Sequence, residues 1–356
     1  MSNQPRPLAN FNPSIWGDRF TSTPRDYQLD HEFYTFHLLD VFSRFKIEGK
    51  FDEAISKDQM GMLSLYEAAQ LQTPGEAILD EALAFTTCHL SAMAKIDLES
   101  GSLSRQIMHA LEQPLHKGLP RIEAKHFISF YEEDPSRNEL ILKLAKLDFN
   151  LVQMLYKQEL SQVNRWWADL GFDSKLPQFR SRVVEGYFWA VSILYVPPFE
   201  EYFPNALTSS GTWILGVASI LGMAHVDTVE ACEWALTKPK AILVAEAHGR
   251  ILNDIVGFEE EHSRPHVATS IDCYRKEYGV SKEEAVAKLE EMIDNTWKDM
   301  NEACLRPAPL PMHFITVFLN YMRVSFVTYK AGDGYTHPEQ QLKDEIKFML
   351  LDPILI

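Results

Sequence analysis

Apolar residues recur along almost the whole chain at three- and four-residue spacing, a rhythm that only packed helices satisfy. From Ser281 the run SKEEAVAKLEEMIDNTWKDM opens with a capping box, Ser281 to Glu284, which satisfies backbone N–H groups at a helix start. Val286, Leu289, Ile293, Trp297 and Met300 then follow as a single apolar stripe. The same period runs through Glu76–Met93, Arg137–Leu160 and Met312–Tyr329. Alternating runs bounded by Asn-Gly or Asp-Gly are nearly absent, and the spacing predicts an all-α protein. Gly171 and Pro177, within Leu170–Gln178, mark the best boundary between two helical domains, after a helix ending near Trp166. Pro5, Pro7, Pro13 and Pro24 give the N-terminal stretch the character of an extended arm.

Composition narrows what such a protein does. A net charge of −16 with no long basic run argues against nucleic acid as a partner. A few local Arg residues and a bound cation still allow a small anionic substrate. Cys88, Cys232, Cys273 and Cys304 are scattered without metal-ligand spacing and read as reduced thiols. The N-terminus has no apolar signal core, and the longest apolar stretch, Trp213–Ala224, is too short to span a bilayer. The expectation is a cytoplasmic protein with no membrane partner, acting as a monomer.

Four constellations can carry chemistry. In AILVAEAHGRILNDIVGFEEE, Arg250, Asn253 or Asp254, Gly257 and Glu261 fall on one helix face. That face offers a cation and, a turn or two on, oxygen ligands suited to a hard divalent ion, with room for a water at Gly257. A solvated helix face has the same spacing. Arg180-Ser181-Arg182 can clamp a diphosphate through guanidinium forks, or be an ordinary surface pair. Tyr187, Phe188 and Trp189 can stabilise a cation through their ring faces, or pack in a core. Tyr329, Asp333 and Tyr335 lie in YKAGDGYTH, a loop that Gly332 and Gly334 allow to act as a lid, or a plain turn between helices.

Taken in order along the chain, longer blocks resemble the plant sesquiterpene synthases. RPLANFNPSIWGDRF, with Arg6-Pro7 and Trp16, is similar to that family's N-terminal arm. GMLSLYEAAQL, ILDEALAFTTCHL, LAKLDFNLVQ and VNRWWADLGF resemble successive helices of its N-terminal domain. FRSRVVEGYFWA, YVPPFEEYFPNALTSSG, RILNDIVGFEEEHSR, SIDCYRKEYGVSKEEA and DGYTHPE resemble its C-terminal domain.

The resemblance implies two all-α domains of terpenoid synthase type, residues 1–175 including an arm over 1–25, and residues 176–356. It implies a class I reaction, in which Mg²⁺ (or Mn²⁺) assists ionisation of farnesyl diphosphate and the allylic cation cyclises. Carried over residue by residue, Arg180, Arg182, Arg250 and Asn253 would bind the substrate diphosphate. Asn253 and Glu261 would hold one metal ion, with Gly257 where the family often has Ser or Thr. Trp189 would lie against the cation, and Tyr329, Asp333 and Tyr335 would belong to the closing segment.

Two departures qualify this. The family places an Asp-Asp-x-x-Asp motif after the helix containing Tyr187–Trp189, whereas this chain runs from Val191–Tyr195 straight into Pro197-Pro198 and has no such motif. A second contraction lies near Asp30–Lys46. Flanking blocks that still match point to internal deletion, of the kind that skipped exons or a faulty gene model would both produce. The expected function is a sesquiterpene synthase with impaired activity. The alternatives are an inactive homologue that binds prenyl diphosphates or a partner protein, and a splice product without function.

Overall fold

The computed structural model describes residues 41–96, 102–170, 196–223, 228–263, 268–305, 308–339 and 341–356. Arg180, Arg182, Trp189 and most of the predicted domain boundary lie outside the described residues.

A two-stranded antiparallel ribbon, β1 (Lys46–Ile47) and β2 (Lys50–Phe51), is the one departure from helical structure among the described residues. The first half of the chain then forms α1 (Gln59–Ala69), α2 (Ala77–Ile96), α3 (Ser102–Glu112), α4 (Pro120–Glu132) and α5 (Glu139–Leu170). The second half forms α6 (Phe199–Ser209), α7 (Thr212–Gly222), α8 (Thr228–Leu236), α9 (Lys240–His262), α10 (Ser270–Tyr278), α11 (Lys282–Ala303), α12 (Met312–Tyr329) and α13 (Gln341–Leu350). The helix that the sequence ends near Trp166 continues to Leu170, because nothing before Gly171 breaks it.

Helix ends follow local chemistry. Asp58 caps α1 by accepting from the Gly61 N–H at 2.9 Å. Both α10 and α11 start with complete capping boxes, Thr269 with Asp272 and the predicted Ser281 with Glu284. Gly279 closes α10 in the left-handed region, at φ 67°.

Helix α9 is the axis of the second half. Ile242 and Ala245 pack into one cluster with Trp297, Met300, Phe314 and Phe318. Ile251 and Phe258 pack into another with Ile271, Leu289, Ile293 and Phe199. The predicted stripe of α11 is therefore its core face: Leu289, Ile293, Trp297 and Met300 are buried and Val286 is half-buried. On α7, Gly216 admits the Phe318 ring; a Cβ there would lie 2.2 Å from the ring edge.

The two halves are joined by directional bonds. Asn301 donates to the Gln70 and Gln72 carbonyls at 3.0 and 2.9 Å, while its Oδ1 meets His116 Nε2 at 2.7 Å. Lys298 pairs with Asp80 at 2.7 Å, and Arg323 donates to the His116 carbonyl. The tail after α13 returns to the first half, where Asn150 both donates to the Ile354 carbonyl and accepts from the Ile354 N–H.

His248, fully buried on α9, adds a pH dependence. Thr296 donates its hydroxyl proton to the Ile293 carbonyl at 2.6 Å, so its oxygen accepts from His248 Nδ1–H at 2.9 Å. His248 Nε2 then faces no partner among the described residues. Burial lowers the imidazole pKa from 6.5 to about 3. The folded pKa lies below the unfolded one, so the contribution is complete above pH 6.5 and is lost as pH falls toward 3. Between pH 7 and pH 5 this group is expected to cost the fold about 2 kcal/mol. Urea unfolding of the wild type and His248→Leu at both pH values tests it, and equal losses in the two proteins would show that the imidazole takes up its proton while folded.

Candidate active site on helix α9

Four of the predicted residues, Arg250, Asn253, Gly257 and Glu261, lie on α9, and the structure shows how that face is held. Arg250 is mostly buried. Its Nε donates to the Ala206 carbonyl at 3.2 Å and its Nη2 to Ser209 Oγ at 3.3 Å, both near the C-terminal end of α6. Its Nη1 donates to Asn253 Oδ1 at 3.1 Å and to Asp254 Oδ1 at 3.2 Å. Four of the five guanidinium N–H bonds are thus committed to positioning, and one on Nη2 has no partner among the described residues. Burial is the largest single influence and opposes its charge, but Asp254, Tyr202 and Glu261 together outweigh it and hold the Arg250 pKa above its ordinary value. Glu261 contributes in the same direction, so the Glu261 carboxylate is within electrostatic reach of the guanidinium.

The sequence left open whether Asn253 or Asp254 belongs to the working face. The structure separates them. Asp254 is buried beneath α9, where its Oδ2 accepts from Tyr202 OH at 3.1 Å, Ser270 N–H at 2.8 Å and Ser270 Oγ at 2.5 Å. With Arg250 on Oδ1, the carboxylate is fully occupied inside the fold. Burial and the neighbouring Asp254 charge raise the Tyr202 pKa, so Tyr202 stays a hydroxyl donor. Asn253 is half-exposed; its Nδ2 donates to Tyr329 OH at 3.2 Å, which leaves its Oδ1 with a second lone pair.

Gly257 and Glu261 continue the face. A Cβ on Gly257 would lie 3.7 Å from Glu261 Oε1, an ordinary contact, so the Glu261 carboxylate stands over the glycine. Asn253 Oδ1 and the Glu261 carboxylate are hard oxygens one above and one below Gly257, a donor set that fits a small divalent cation completed by water or substrate oxygens. Among the described residues, no group of three or more His, Cys, Asp and Glu side chains is placed to hold a metal.

Tyr329 closes α12 as its last residue, where the sequence places it in a loop, and together with the loop that follows it docks onto this face at two points, only one of them on a residue that the sequence singles out. Tyr329 reaches Asn253, and its pKa is raised by burial and by the Asp333 charge. The second contact is His337 Nε2 with Glu260 Oε2 at 2.9 Å, which raises the His337 pKa. Asp333 folds the loop on itself, accepting from Tyr335 N–H and Thr336 N–H at 3.0 Å each. The Tyr335 ring points to solvent. A cavity of about 220 Å³ under the loop is lined by Asp333, His337, Gln341 and Leu342, beside the α9 face and not within it.

Sequence reasoning missed Tyr202, Ser209, Ser270 and His337, which no spacing links to α9 and which folding alone brings there, and it missed Glu260 on α9 itself.

Comparison with known proteins shows the family. Residues 37–111 match the terpene synthase N-terminal domain, and residues 193–299 match the terpene synthase metal-binding domain. The chain belongs to the terpene synthase family. A valerianol synthase of Camellia hiemalis and a hedycaryol synthase of Camellia brevistyla are each 36% identical to it over 98% of this chain and 97% of their own length. Both relatives are sesquiterpene synthases. The aligned span is 536 residues against 356 in this chain, so about 180 positions of these relatives have no counterpart within it.

Among solved structures, isoprene synthase from grey poplar leaves, in complex with three Mg²⁺ ions and dimethylallyl-S-thiolodiphosphate, superimposes with a TM-score of 0.76 at 25% identity. The match covers 89% of this chain and 81% of that one. A limonene synthase shares the fold with a TM-score of 0.78 at 24% identity, over 89% of this chain and 79% of its own.

The Asp254 assembly generates a separation of roles. Asp254→Ala leaves the Arg250 charge buried and is expected to cost about 3–5 kcal/mol of stability. Asn253→Ala, on the half-exposed side, is expected to cost under about 1 kcal/mol. Thermal melts of the two variants test this, and comparable losses would show that Asp254 is not the anchor.

Proposed function

We propose that this protein is a sesquiterpene synthase by descent, acting in the cytosol, whose α9 face binds the diphosphate of farnesyl diphosphate with one divalent cation and whose ionisation step is impaired. The observation that carries this reading is the ordered face Arg250, Asn253, Gly257, Glu261, locked from beneath by Asp254, in a chain whose sesquiterpene synthase relatives match it along nearly its whole length. We divide the chain at residues 175 and 176 into an N-terminal helical domain and a C-terminal domain that carries the site.

Arg250 presents one uncommitted N–H and a fixed positive charge to the diphosphate, with no side-chain ordering left to be done on binding. Asn253 and Glu261 would hold Mg²⁺, or Mn²⁺ in its place; bound there, the ion would neutralise negative charge on the departing diphosphate. Tyr329 orients the Asn253 amide so that its oxygen faces the site. Asp333 and Tyr335 belong to the loop that closes over it, while Arg180 and Arg182 would complete the diphosphate clamp and Trp189 would face the allylic cation.

Impairment follows from charge. Diphosphate departure needs its developing charge neutralised, and losing one preorganised donor of this kind costs roughly 10²–10³ in rate. Here the Asp-Asp-x-x-Asp motif that would hold further cations is missing altogether. A second reading, a protein that binds prenyl diphosphate without turning it over, is favoured by that same absence beside an intact α9 face.

The test is calorimetric binding of inorganic diphosphate with and without Mg²⁺, followed by gas chromatography of products from farnesyl diphosphate. Mg²⁺-dependent binding is expected, and an Asn253→Ala, Glu261→Ala pair abolishes it; binding that survives in the double variant would overturn the site. Product is expected at least about 10³-fold below that of a full-length relative. Gly257→Ser is expected to tighten the Mg²⁺-dependent binding several-fold, since a hydroxyl fits under Glu261 Oε1 and adds a hard oxygen. No gain would place the cation elsewhere on the helix.

A further inference from the structure

Helix α5 is apolar on two opposite sides. Leu142, Phe149 and Gln153 face inward; Phe149 and Leu142 pack with Ile128 of α4, and Gln153 binds the carbonyls of Met349 and Asp352. At about 100° per residue, Leu140, Leu144, Leu147, Leu151, Met154 and Leu155 fall within an arc of about 100° on the far side. All six are between 45% and 79% exposed, and among the described residues nothing covers them. A solvated surface helix carries one apolar stripe, and a second stripe marks an unmet contact.

We infer that this stripe is the interface of a two-fold symmetric dimer in which α5 pairs in parallel with α5 of a second copy of the chain. Leu140, Leu144, Leu147, Leu151 and Met154 alternate at steps of four and three, the heptad seam of a two-stranded coiled coil. Lys143 and Asp148 flank the seam on opposite sides, both at the exposed surface; Asp148, its side chain 66% exposed, also pairs loosely with Arg121 of its own chain at 3.9 Å. In a parallel pair each Lys143 meets the Asp148 of the other copy, giving two equivalent ion pairs. An antiparallel pair would set the Lys143 flank against its own kind, against Lys157. The described residues that α5 packs against, Ile128, Met349 and Asp352 among them, lie on the side of α5 opposite the seam.

Area agrees with this. Six such side chains expose on the order of 600–700 Å² per copy, so pairing buries roughly 1,300 Å² before the flanks are counted, within the range of specific interfaces. A second copy also suits the stripe better than the N-terminal arm. Pro5, Pro7, Pro13 and Pro24 interrupt its first 24 residues and deny that stretch a helical heptad to match the seam. The inference replaces the monomer expected from sequence and is independent of the α9 site.

Sedimentation equilibrium of the full-length protein across micromolar concentrations tests the proposal. The wild type is expected to be a dimer, and Leu144→Glu with Leu151→Glu a monomer of unchanged helicity, since both positions are exposed. Lys143→Asp is expected to weaken association roughly tenfold, and adding Asp148→Lys to restore it. A monomeric wild type, a dimer that persists with both glutamates, or a charge exchange without effect would each overturn the inference. So would a monomer whose α5 amides lose hydrogen-exchange protection when residues 1–40 are removed, because the arm would then be the occupant.

Discussion

A buried charge has to be answered inside the protein, and Asp254 is where that demand organises the second half of this molecule. Its carboxylate sits at the first turn of α10, where Ser270 offers both a backbone N–H and a hydroxyl, and helix polarity favours a negative group. Its counter-charge, Arg250, sits against the last turn of α6, where the negative end of the helix dipole favours a cation. The pair thus ties α9 to two neighbouring helices in the sense that both helix dipoles support. Asn253 and Glu261 are presented by a helix that cannot rotate without breaking this arrangement. The chemistry of the outer face depends on the bond network of the inner one.

A second set of constraints ties the halves of the chain together. Asn301 reads two carbonyls and a histidine of the first half in one side chain, and Lys125 of α4 donates to the Phe348 and Asp352 carbonyls at 2.5 and 2.6 Å. These contacts join segments nearly 200 residues or more apart in sequence. They fix α13 and the tail on the first half, so the C-terminal residues finish the packing of α4 and α5. The family's long chain is shortened here by about 180 positions, yet the remaining helices still bond to one another at these junctions. The shortfall shows in apolar surface instead: α5 carries an outer stripe of leucines, and α7 exposes Ile214, Leu215 and Leu221. Polar satisfaction is local and survives the loss of neighbours, whereas apolar burial needs a second surface.

The helical elements were readable from sequence because periodicity and capping are written within a few residues of each other. The Ser281–Glu284 box and the stripe from Leu289 to Met300 are examples, as are the starts of α2 and α12. The short β1–β2 ribbon was not readable, since two-residue strands leave no alternating pattern to detect. Of the site, Arg250, Asn253, Gly257 and Glu261 were legible because all four share one helix face, a relation that sequence spacing preserves. Tyr202, Ser270 and His337 were not, because each reaches α9 from another element across a tertiary contact.

The sequence by itself determined the fold class, the family and the helix face that Arg250, Asn253, Gly257 and Glu261 share. Each of these rests on relations between residues close together along the chain, or on blocks kept in order. Tertiary structure alone decided that Asp254 points inward and Asn253 outward, although they are adjacent on the same helix. It also decided that the loop after α12 docks through His337 beside the contact of Tyr329 at the end of α12, and that nothing among the described residues covers the outer leucines of α5. Burial is a property of what surrounds a residue in space, and a linear pattern specifies a face without saying what, if anything, is packed against it.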